Sequence, residues 1–297
     1  MAVPNKKIKV MFMYNPSSGK GRVQKNLGFI TAEITKKYGS CDVVKTESKD
    51  HLKETVVKAC QEYDYFFFSG GDGTFNMVVN SIPNLDHLPV FGYLPGGSTN
   101  DMSYNLNISK NIKRGIFDLL NSKPKKYNVG YIGDTNFIYV ADFGVFTDIP
   151  HITPADQKRK FGTLAYAYYG VKSVFRIKTY TVTVDGVIYK TPFMFVSNSR
   201  EVASFRINPE TRQNEGNYYA CVVKDGPIHG IFNLIYLFAF GLERAIKAKK
   251  VVSFTSSIFK LNCDNDTWDV DGEKVVVKFP VTCGYSGRSI MVFSNRE

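Results

Sequence analysis

Three polar, glycine-rich turns restrict the folds open to this chain more than any other feature. They lie at residues 15–21 (NPSSGKG), 70–74 (GGDGT) and 94–101 (LPGGSTND), and each follows a short apolar segment with the length of a β-strand. Longer segments with helical periodicity separate them, so residues 1–125 repeat a pattern of strand, turn and helix. This alternation is typical of an open α/β domain with a parallel sheet. The carboxyl ends of such strands lie at one edge, and we therefore expect the three turns to meet at one site.

The second half of the chain has a different texture. After residue 126, β-branched and aromatic residues alternate with polar ones, which is typical of antiparallel strands. We predict strands at 137–145, 179–184, 191–197, 218–223, 251–261 and 274–279, and helices at 156–173 and 231–247. The sequence therefore predicts an α/β domain at residues 1–126 and a mostly antiparallel β domain at residues 127–287. We expect residues 288–297 to return to the first domain through a last strand at 290–294.

The residue types in the three turns suit a polyphosphate ligand. Glycine lets the backbone approach a phosphate closely, and the amides at the start of the following helix supply donors and a favourable dipole. The first turn lacks the GxxxxGK[ST] spacing, so a P-loop NTPase is not indicated. Lys20 and Arg22 are the cations nearest to the expected phosphates, although a solvated loop also explains them. Each turn taken singly is also explained as ordinary loop punctuation.

Charge and cysteine content limit the partners and the compartment. The chain has 38 Lys and Arg against 27 Asp and Glu, and a net charge of +11 favours nucleotides, nucleic acids or anionic lipids. Aromatic residues are dispersed through the strand patterns rather than interleaved with basic residues, so nucleic-acid binding is not indicated. The five scattered cysteines fit reduced thiols in a cytoplasmic protein. The most apolar segment is well short of the roughly 20 residues that a membrane span needs.

Five segments together resemble a known family. NPSSGKG, SGGDGT and LPGGSTND, together with Thr46 in KTES and the DGE of residues 271–273, occur in the order and approximate spacing of the diacylglycerol kinase-like lipid kinases. The chain is similar to bacterial members of that family, which also contains the sphingosine and ceramide kinases, over nearly its full length. The resemblance implies a phosphofructokinase-like nucleotide domain followed by a carboxy-terminal β-sandwich.

The same resemblance implies roles for individual residues. It assigns Mg-ATP to the three turns, with Asp72 organising Mg²⁺ and the phosphates, and makes Glu273 the general base for the lipid hydroxyl. Many members have PLGT where this chain has PGGS, so Ser98 keeps a hydroxyl in a looser turn. A structural metal site of the family corresponds to Glu215 and Gly216, which makes Glu215 a second candidate metal ligand. The nucleotide-binding residues implied are Asn15, Ser17, Gly19, Lys20, Thr46, Gly70, Gly71, Asp72, Gly73, Thr74, Ser98 and Asn100.

The DGE segment has two interpretations. Without the resemblance, Asp271 and Gly272 are typical of a hairpin turn. With the resemblance, Glu273 is the general base, and Asp271 is expected on the same side of an extended segment because it lies two residues away.

The partners implied are ATP, Mg²⁺, a diacylglycerol-like lipid alcohol and the anionic inner face of the membrane, which a cytoplasmic protein would contact peripherally. Residues 229–250 resemble an interfacial helix, because apolar and aromatic residues precede Arg244, Lys247, Lys249 and Lys250. An apolar helix packed on a sheet has the same pattern, and we favour that interpretation slightly. The sequence leaves open which lipid is the acceptor and whether the protein forms a homodimer.

Two other functions fit part of the pattern. A NAD kinase-like enzyme shares the GGDG turn and an Asn-acidic pair, but NPSSGKG and WDVDGE argue against it. A catalytically silent lipid- or nucleotide-binding protein would keep the same fold, and the presence of both Asp72 and Glu273 argues against that alternative.

Overall fold

The computed structural model describes residues 8–16, 18–144, 178–202, 205–208, 215–224 and 226–296. The chain divides into two compact units, one formed by Met1–Tyr127 with Ser289–Glu297 and the other by Asn128–Arg288. The helix predicted at 156–173 lies outside the described residues.

A parallel sheet forms the centre of the first unit. Its strands are β1 (Val10–Tyr14), β2 (Asp42–Lys45), β3 (Tyr65–Gly70), β4 (Val90–Pro95) and the carboxyl end of β18 (Val281–Ser294). The order is β2-β1-β3-β4-β18, and every neighbouring pair is parallel. All five residues of β1 are buried, as expected for a central parallel strand covered on both faces.

Some helix ends in the first unit carry recognisable capping residues. A 3₁₀ turn (Ser18–Gly21) precedes the first helix. The helices are α1 (Arg22–Lys25), α2 (Leu27–Tyr38), α3 (Lys49–Glu62), α4 (Asp72–Asn80), α5 (Asp101–Leu106) and α6 (Ile112–Asn121). The Ser48 hydroxyl accepts a hydrogen bond from the His51 amide at 3.0 Å and caps α3. Asn111 caps α6 in the same way through the Arg114 amide. Helix α2 ends at Gly39, whose φ of 89° is left-handed and favours glycine.

The carboxyl end of β18 is tied to the segment after β4. Val292 pairs with Phe91 of β4, and the Ser294 hydroxyl donates to the Leu106 carbonyl at 3.2 Å. The Arg296 guanidinium donates to the Tyr104 carbonyl at 2.8 Å and lies 4.4 Å from the Tyr104 ring centroid. These contacts hold the end of the chain against α5, directly after the third glycine-rich turn.

Two antiparallel sheets form the second unit. The first contains β5 (Lys123–Ile132), β6 (Thr135–Phe137), β8 (Tyr180–Val184), β9 (Val187–Thr191), β15 (Ile258–Cys263) and the first part of β18. The strands of the second sheet are β7 (Val140–Gly144), β10 (Phe193–Ser197), β13 (Tyr218–Val223), β14 (Val251–Ser256), β16 (Thr267–Val270) and β17 (Glu273–Val276). Their order in the sheet is β14-β13-β10-β7-β16-β17. Both sheets contribute side chains to one core around Trp268, Phe143 and Phe259, as in a β-sandwich.

The single strand predicted at 251–261 is two strands. Residues 251–256 pair with β13 in the second sheet, whereas residues 258–261 pair with β18 in the first. The chain therefore changes sheet at Ser257. Gly284 permits this crossing, because a Cβ there would lie 2.2 Å from the Ser257 carbonyl oxygen.

A short hairpin and two helices complete the described part of the second unit. The hairpin consists of β11 (Glu201–Val202) and β12 (Phe205–Arg206), and the helices are α7 (Pro227–Phe240) and α8 (Leu242–Lys247). No helix within the described ranges is both long enough and apolar enough to cross a bilayer. The architecture confirms the predicted fold class, an open α/β domain followed by a mostly antiparallel β-sandwich.

Candidate nucleotide-binding and catalytic site

The three glycine-rich turns of the first unit interlock through their backbones. Gly19 of the first turn has a φ of +54°, and a Cβ there would lie 1.8 Å from the Gly96 carbonyl oxygen. A Cβ on Gly97 would lie 2.4 Å from the Cα of Gly71. Real Cβ atoms do not approach other atoms this closely, so glycine is required at both contacts. The structure thus brings the three turns together, as their position after parallel strands predicts.

Hydrogen bonds fix the same arrangement. The Gly70 carbonyl accepts from the amides of Gly96 at 2.8 Å and Gly97 at 3.0 Å. The exposed Arg22 side chain donates from Nη2 to the Gly97 carbonyl at 2.8 Å and from Nε to the Gly19 carbonyl at 3.3 Å. Arg22 therefore bridges the first and third turns as well as placing positive charge beside them.

Asn100 and Tyr93 brace the third turn from inside. Asn100 is buried with a φ of 55°, its Oδ1 accepts from the Gly97 amide at 2.8 Å, and its Nδ2 donates to the Gly97 carbonyl at 2.8 Å. The Tyr93 hydroxyl donates to the same Oδ1 at 3.0 Å. Asn100 thus shapes the turn through its side chain, and its implied contact with a nucleotide stays a prediction.

Asp72 is the first residue of α4 and links the second turn to α5. Its Oδ1 accepts a hydrogen bond from the Met102 amide at 3.1 Å. Burial raises the pKa of the Asp72 carboxyl, while the amides of residues 100–102 and the charge of Lys110 act in the opposite direction. The start of a helix also favours a negative charge. The structure therefore holds the Asp72 carboxyl group between the second turn and the start of α5.

Three of the other predicted nucleotide ligands, Asn15, Thr46 and Ser98, follow the carboxyl ends of β1, β2 and β4. The Asn15 amide donates to the Ser69 carbonyl at 3.2 Å, and the buried Thr46 donates from its hydroxyl to the Tyr14 carbonyl at 3.2 Å, at the end of β1. Ser98 is exposed in the third turn. Ser17 lies outside the described residues, and Lys20 is described only by its place in the 3₁₀ turn.

The chemistry of this edge fits a phosphate chain. Helix α4 has nine residues and begins after Gly71 without a side-chain cap, so its first amides are available as donors to a ligand. Arg22 adds positive charge beside these amides. Backbone amides, a helix start and a cation are the groups that bind phosphate oxygens.

Replacing Gly97 with alanine should disrupt the interlocked turns. The new Cβ would lie 2.4 Å from Gly71 Cα and 2.8 Å from Asn100 Oδ1, so two backbone segments must separate. We expect a loss of stability of about 1–3 kcal/mol, typical of overpacking, and at least tenfold weaker ATP binding, ~1.4 kcal/mol. Urea unfolding and calorimetric ATP titration measure the two effects. Gly28→Ala is the matched control, because nothing lies within 4 Å of its Cβ; equal ATP affinity in both variants would contradict the arrangement.

The DGE segment is a two-residue hairpin turn in the second unit. Asp271 and Gly272 have φ values of 53° and 91° and join β16 to β17, while Glu273 is the exposed first residue of β17 at the edge of its sheet. The expectation that Asp271 and Glu273 face the same side is wrong, because Asp271 is buried and left-handed rather than extended. Asp271 instead accepts hydrogen bonds from the amides of residues 138, 139 and 140 at 2.6–3.1 Å.

Two further carboxylates support this turn. Asp142 of β7 lies opposite Asp269 of β16, and the Oδ1 of Asp269 accepts from the Gly272 amide at 2.6 Å. Burial raises the pKa of Asp142 well above its ordinary value, and the nearby Asp269 and Asp271 raise it further. The hydrogen bonds of Asp269 and Asp271 therefore hold the turn that precedes Glu273.

Glu215, the other predicted metal ligand, is exposed beside Gly216 in the second unit. Among the described residues, no three His, Cys, Asp or Glu side chains are grouped closely enough to hold a metal ion. A Mg²⁺ bound with ATP needs fewer protein ligands, because the phosphates supply oxygens. Asp72 suits that role by its chemistry, and the metal role of Glu215 stays a prediction.

The sequence analysis missed two polar residues that lie inside strands, Tyr93 in the first unit and Asp142 in the second. Both belong to apolar or alternating strands and carry no motif of their own. A polar side chain inside a predicted buried strand is the one signal that singles them out, because such groups need a hydrogen-bond partner.

Comparisons with known proteins agree with this geometry. Residues 9–132 match the sequence model of the diacylglycerol kinase catalytic domain. The chain is 27% identical to a diacylglycerol kinase of Bacillus subtilis (strain 168) over 219 residues, 71% of this chain and 72% of the relative. It is 25% identical to a diacylglycerol kinase of Staphylococcus aureus (strain MRSA252) over 268 residues, 86% of this chain and 84% of the relative. A crystal structure of a diacylglycerol kinase from Bacillus anthracis str. Sterne has a similar fold, with a TM-score of 0.79, 21% identity and 98% coverage of each chain.

Proposed function

We propose that this chain, whose residues 9–132 match the diacylglycerol kinase catalytic domain, transfers the γ-phosphate of ATP to a hydroxyl of diacylglycerol or a similar lipid. The product would be a phosphatidate-type lipid. The observation that carries the proposal is the interlocking of three glycine-rich turns at the carboxyl ends of β1, β3 and β4, with Asp72 at the start of α4.

The first unit supplies the groups for binding ATP. The turns offer backbone amides to the phosphate chain, and Arg22 lies beside them with its positive charge. Lys20, Thr46 and Ser98 are the proposed side-chain contacts to nucleotide oxygens. Mg²⁺, when bound with ATP, neutralises charge on the phosphates, and Asp72 is the carboxylate proposed to hold it.

Glu273 is the proposed general base. It accepts the proton of the lipid hydroxyl as the hydroxyl oxygen forms a bond to the γ-phosphorus. The bond from the γ-phosphorus to the bridging oxygen of ADP breaks, and ADP leaves. The exposure of Glu273 at a sheet edge supports this role, because a base must be reachable by its substrate. The hairpin held by Asp269 and Asp271 restricts where its backbone lies.

The acceptor is proposed to be a lipid on an anionic membrane surface. The net charge of +11 favours such a surface. Diacylglycerol is the acceptor named for the two relatives, and sphingoid bases, ceramide, undecaprenol and monoacylglycerol are the acceptors to compare with it.

Transfer of labelled γ-phosphate from Mg-ATP to these lipids in mixed micelles tests the proposal. NAD is offered in a parallel reaction, and the Asp72→Asn protein is the control for both. We expect phosphate in one lipid and a loss of at least about 100-fold in the variant, because the amide cannot replace a metal-binding carboxylate. Asp50→Asn, an exposed change on α3, should keep full activity.

The other outcomes identify the alternatives. Phosphate in NAD would make the protein a NAD kinase-like enzyme. ATP binding without transfer to any acceptor would support a catalytically silent nucleotide-binding protein of this fold. Full activity of Asp72→Asn would overturn the role of that residue.

A further inference from the structure

Helix α7 of the second unit is apolar on two opposite sides. Its 14 residues contain no Asp, Glu, Lys or Arg. Ile231, Leu234 and Leu237 are buried on the inner side, where the helix packs against β13 and β12. Asn233 on that side is satisfied, because it donates to the Lys224 carbonyl at 3.1 Å and accepts from Lys250 at 3.2 Å. The inner side therefore packs as expected for an apolar helix that lies against a sheet.

The outer side of α7 is exposed although it is equally apolar. Phe232, Ile235 and Phe240 are 64%, 54% and 50% exposed. Tyr236 lies on the same stripe, with its ring centroid 4.6 Å from that of Phe240. Phe232 lies three residues from Ile235 and four from Tyr236, and Tyr236 lies four from Phe240, so the four side chains share one face. A helix that is apolar all round is normally covered on all sides, and a contiguous exposed apolar face marks a contact surface.

Basic residues border this apolar face. Helix α8 begins two residues after α7 ends, and Arg244, Lys247 and Lys249 are exposed on or just after it, beside Ile246, which is 43% exposed. Lys250 lies 5.2 Å from the ring centroid of Tyr236 and joins the basic and apolar parts. Glu243, which pairs with Lys247 at 2.6 Å, is the acidic residue of this border. Exposed aromatic and aliphatic side chains beside cations are typical of a helix that lies in a membrane interface.

Charge distinguishes a lipid surface from a second copy of this chain. A two-fold contact places the same patch of each copy against the other, so two such basic borders would meet. Like charges at a contact oppose association. An anionic bilayer satisfies both parts of the surface, because headgroups attract the cations and the acyl boundary takes the aromatic side chains.

We propose that the outer face of α7, with Arg244, Lys247 and Lys249 as its border, docks the protein on an anionic lipid bilayer. The helix lies in the plane of the interface and does not cross it. This inference extends the proposed function, since a kinase whose acceptor is a membrane lipid must reach the bilayer, and it assigns that contact to one helix of the second unit.

Sedimentation with vesicles, in the absence of ATP, tests the docking face. The vesicles contain equal parts of phosphatidylglycerol and phosphatidylcholine, or phosphatidylcholine alone. We expect the Phe232→Gln/Ile235→Gln protein to bind the mixed vesicles at least about tenfold more weakly than the unaltered protein. Val187→Gln/Ile188→Gln is the matched control, because it removes two apolar side chains that are 51% and 68% exposed on β9. The control should bind as the unaltered protein does, and both double variants should keep the unaltered urea midpoint.

Several results would overturn the proposal. Equal vesicle binding by both double variants would show that α7 is not part of the docking surface. Equal binding of the unaltered protein to the two kinds of vesicle would show that the basic border does not contribute to docking. A dimer that Phe232→Gln/Ile235→Gln converts to a monomer, with unchanged vesicle binding, would make this face an interface between copies. Vesicle binding that depends on α7 in a protein without phosphate transfer would leave the docking face standing and overturn the proposed function alone.

Discussion

Replacing Glu273 with glutamine should lower the turnover number of phosphate transfer by about 100- to 10,000-fold and leave the dissociation constant for ATP unchanged. Glutamine has nearly the shape of glutamate but cannot accept a proton at neutral pH. Because Glu273 is exposed on the edge strand β17, its replacement removes no buried contact, and the fold should be preserved. Single-turnover transfer from labelled Mg-ATP and calorimetric ATP titration measure the two quantities.

Glu54→Gln is the matched control for this experiment, because Glu54 is an exposed glutamate on α3. It should leave both quantities unchanged. A Glu273→Gln protein with full turnover would show that another group accepts the proton. A large loss of ATP affinity would instead show that Glu273 acts on the nucleotide.

Replacing Asp271 should destabilise the second unit more than any exposed substitution. Its carboxylate accepts from three backbone amides of residues 138–140, which are buried and would lose their acceptor. Unsatisfied buried amides cost about 1–3 kcal/mol each, so Asp271→Gly, which removes the acceptor of three amides, should lose at least about 3 kcal/mol. Asp271→Ala should lose about 1 kcal/mol more, because alanine disfavours the left-handed φ of 53° that glycine tolerates.

The protein contains one tryptophan, Trp268, which is buried in the core of the same unit three residues before Asp271. Its fluorescence during urea unfolding therefore reports the stability of this unit. Asp134→Ala, at an exposed turn between β5 and β6, should leave the midpoint unchanged. An Asp271→Gly protein as stable as this control would show that the carboxylate does not cap those amides.

The sequence predicts most of the first unit because its signals are local. Strands β1 and β3 are short apolar runs that end at glycine-rich turns. The meeting of the three turns also follows from a general rule about parallel sheets. The particular contacts between the turns do not follow from this rule, because the partners are far apart in the sequence. Arg22 and Gly97, for example, are 75 residues apart.

In the second unit the decisive contacts are distant in sequence. Asp271 accepts from an amide 132 residues away, and no local pattern distinguishes such a carboxylate from an ordinary hairpin turn. The change of sheet at Ser257 is hidden because an alternating run looks the same whichever sheet it joins. In the sequence, apolar residues of α7 look the same whether they face a sheet or the surface. Only the structure shows that Leu234 is buried and Ile235 is exposed.

The return of Ser289–Arg296 to the first unit affects the order of events during synthesis. Val292 pairs with Phe91, and Ser294 and Arg296 bond to the backbone around α5, directly after the third turn. A ribosome releases the amino-terminal part of a chain first, and domains generally fold as they emerge. Here the parallel sheet lacks its last strand until all of Asn128–Arg288 has been translated. The first unit, although it begins the chain, can therefore finish folding only after the whole second unit has been synthesised.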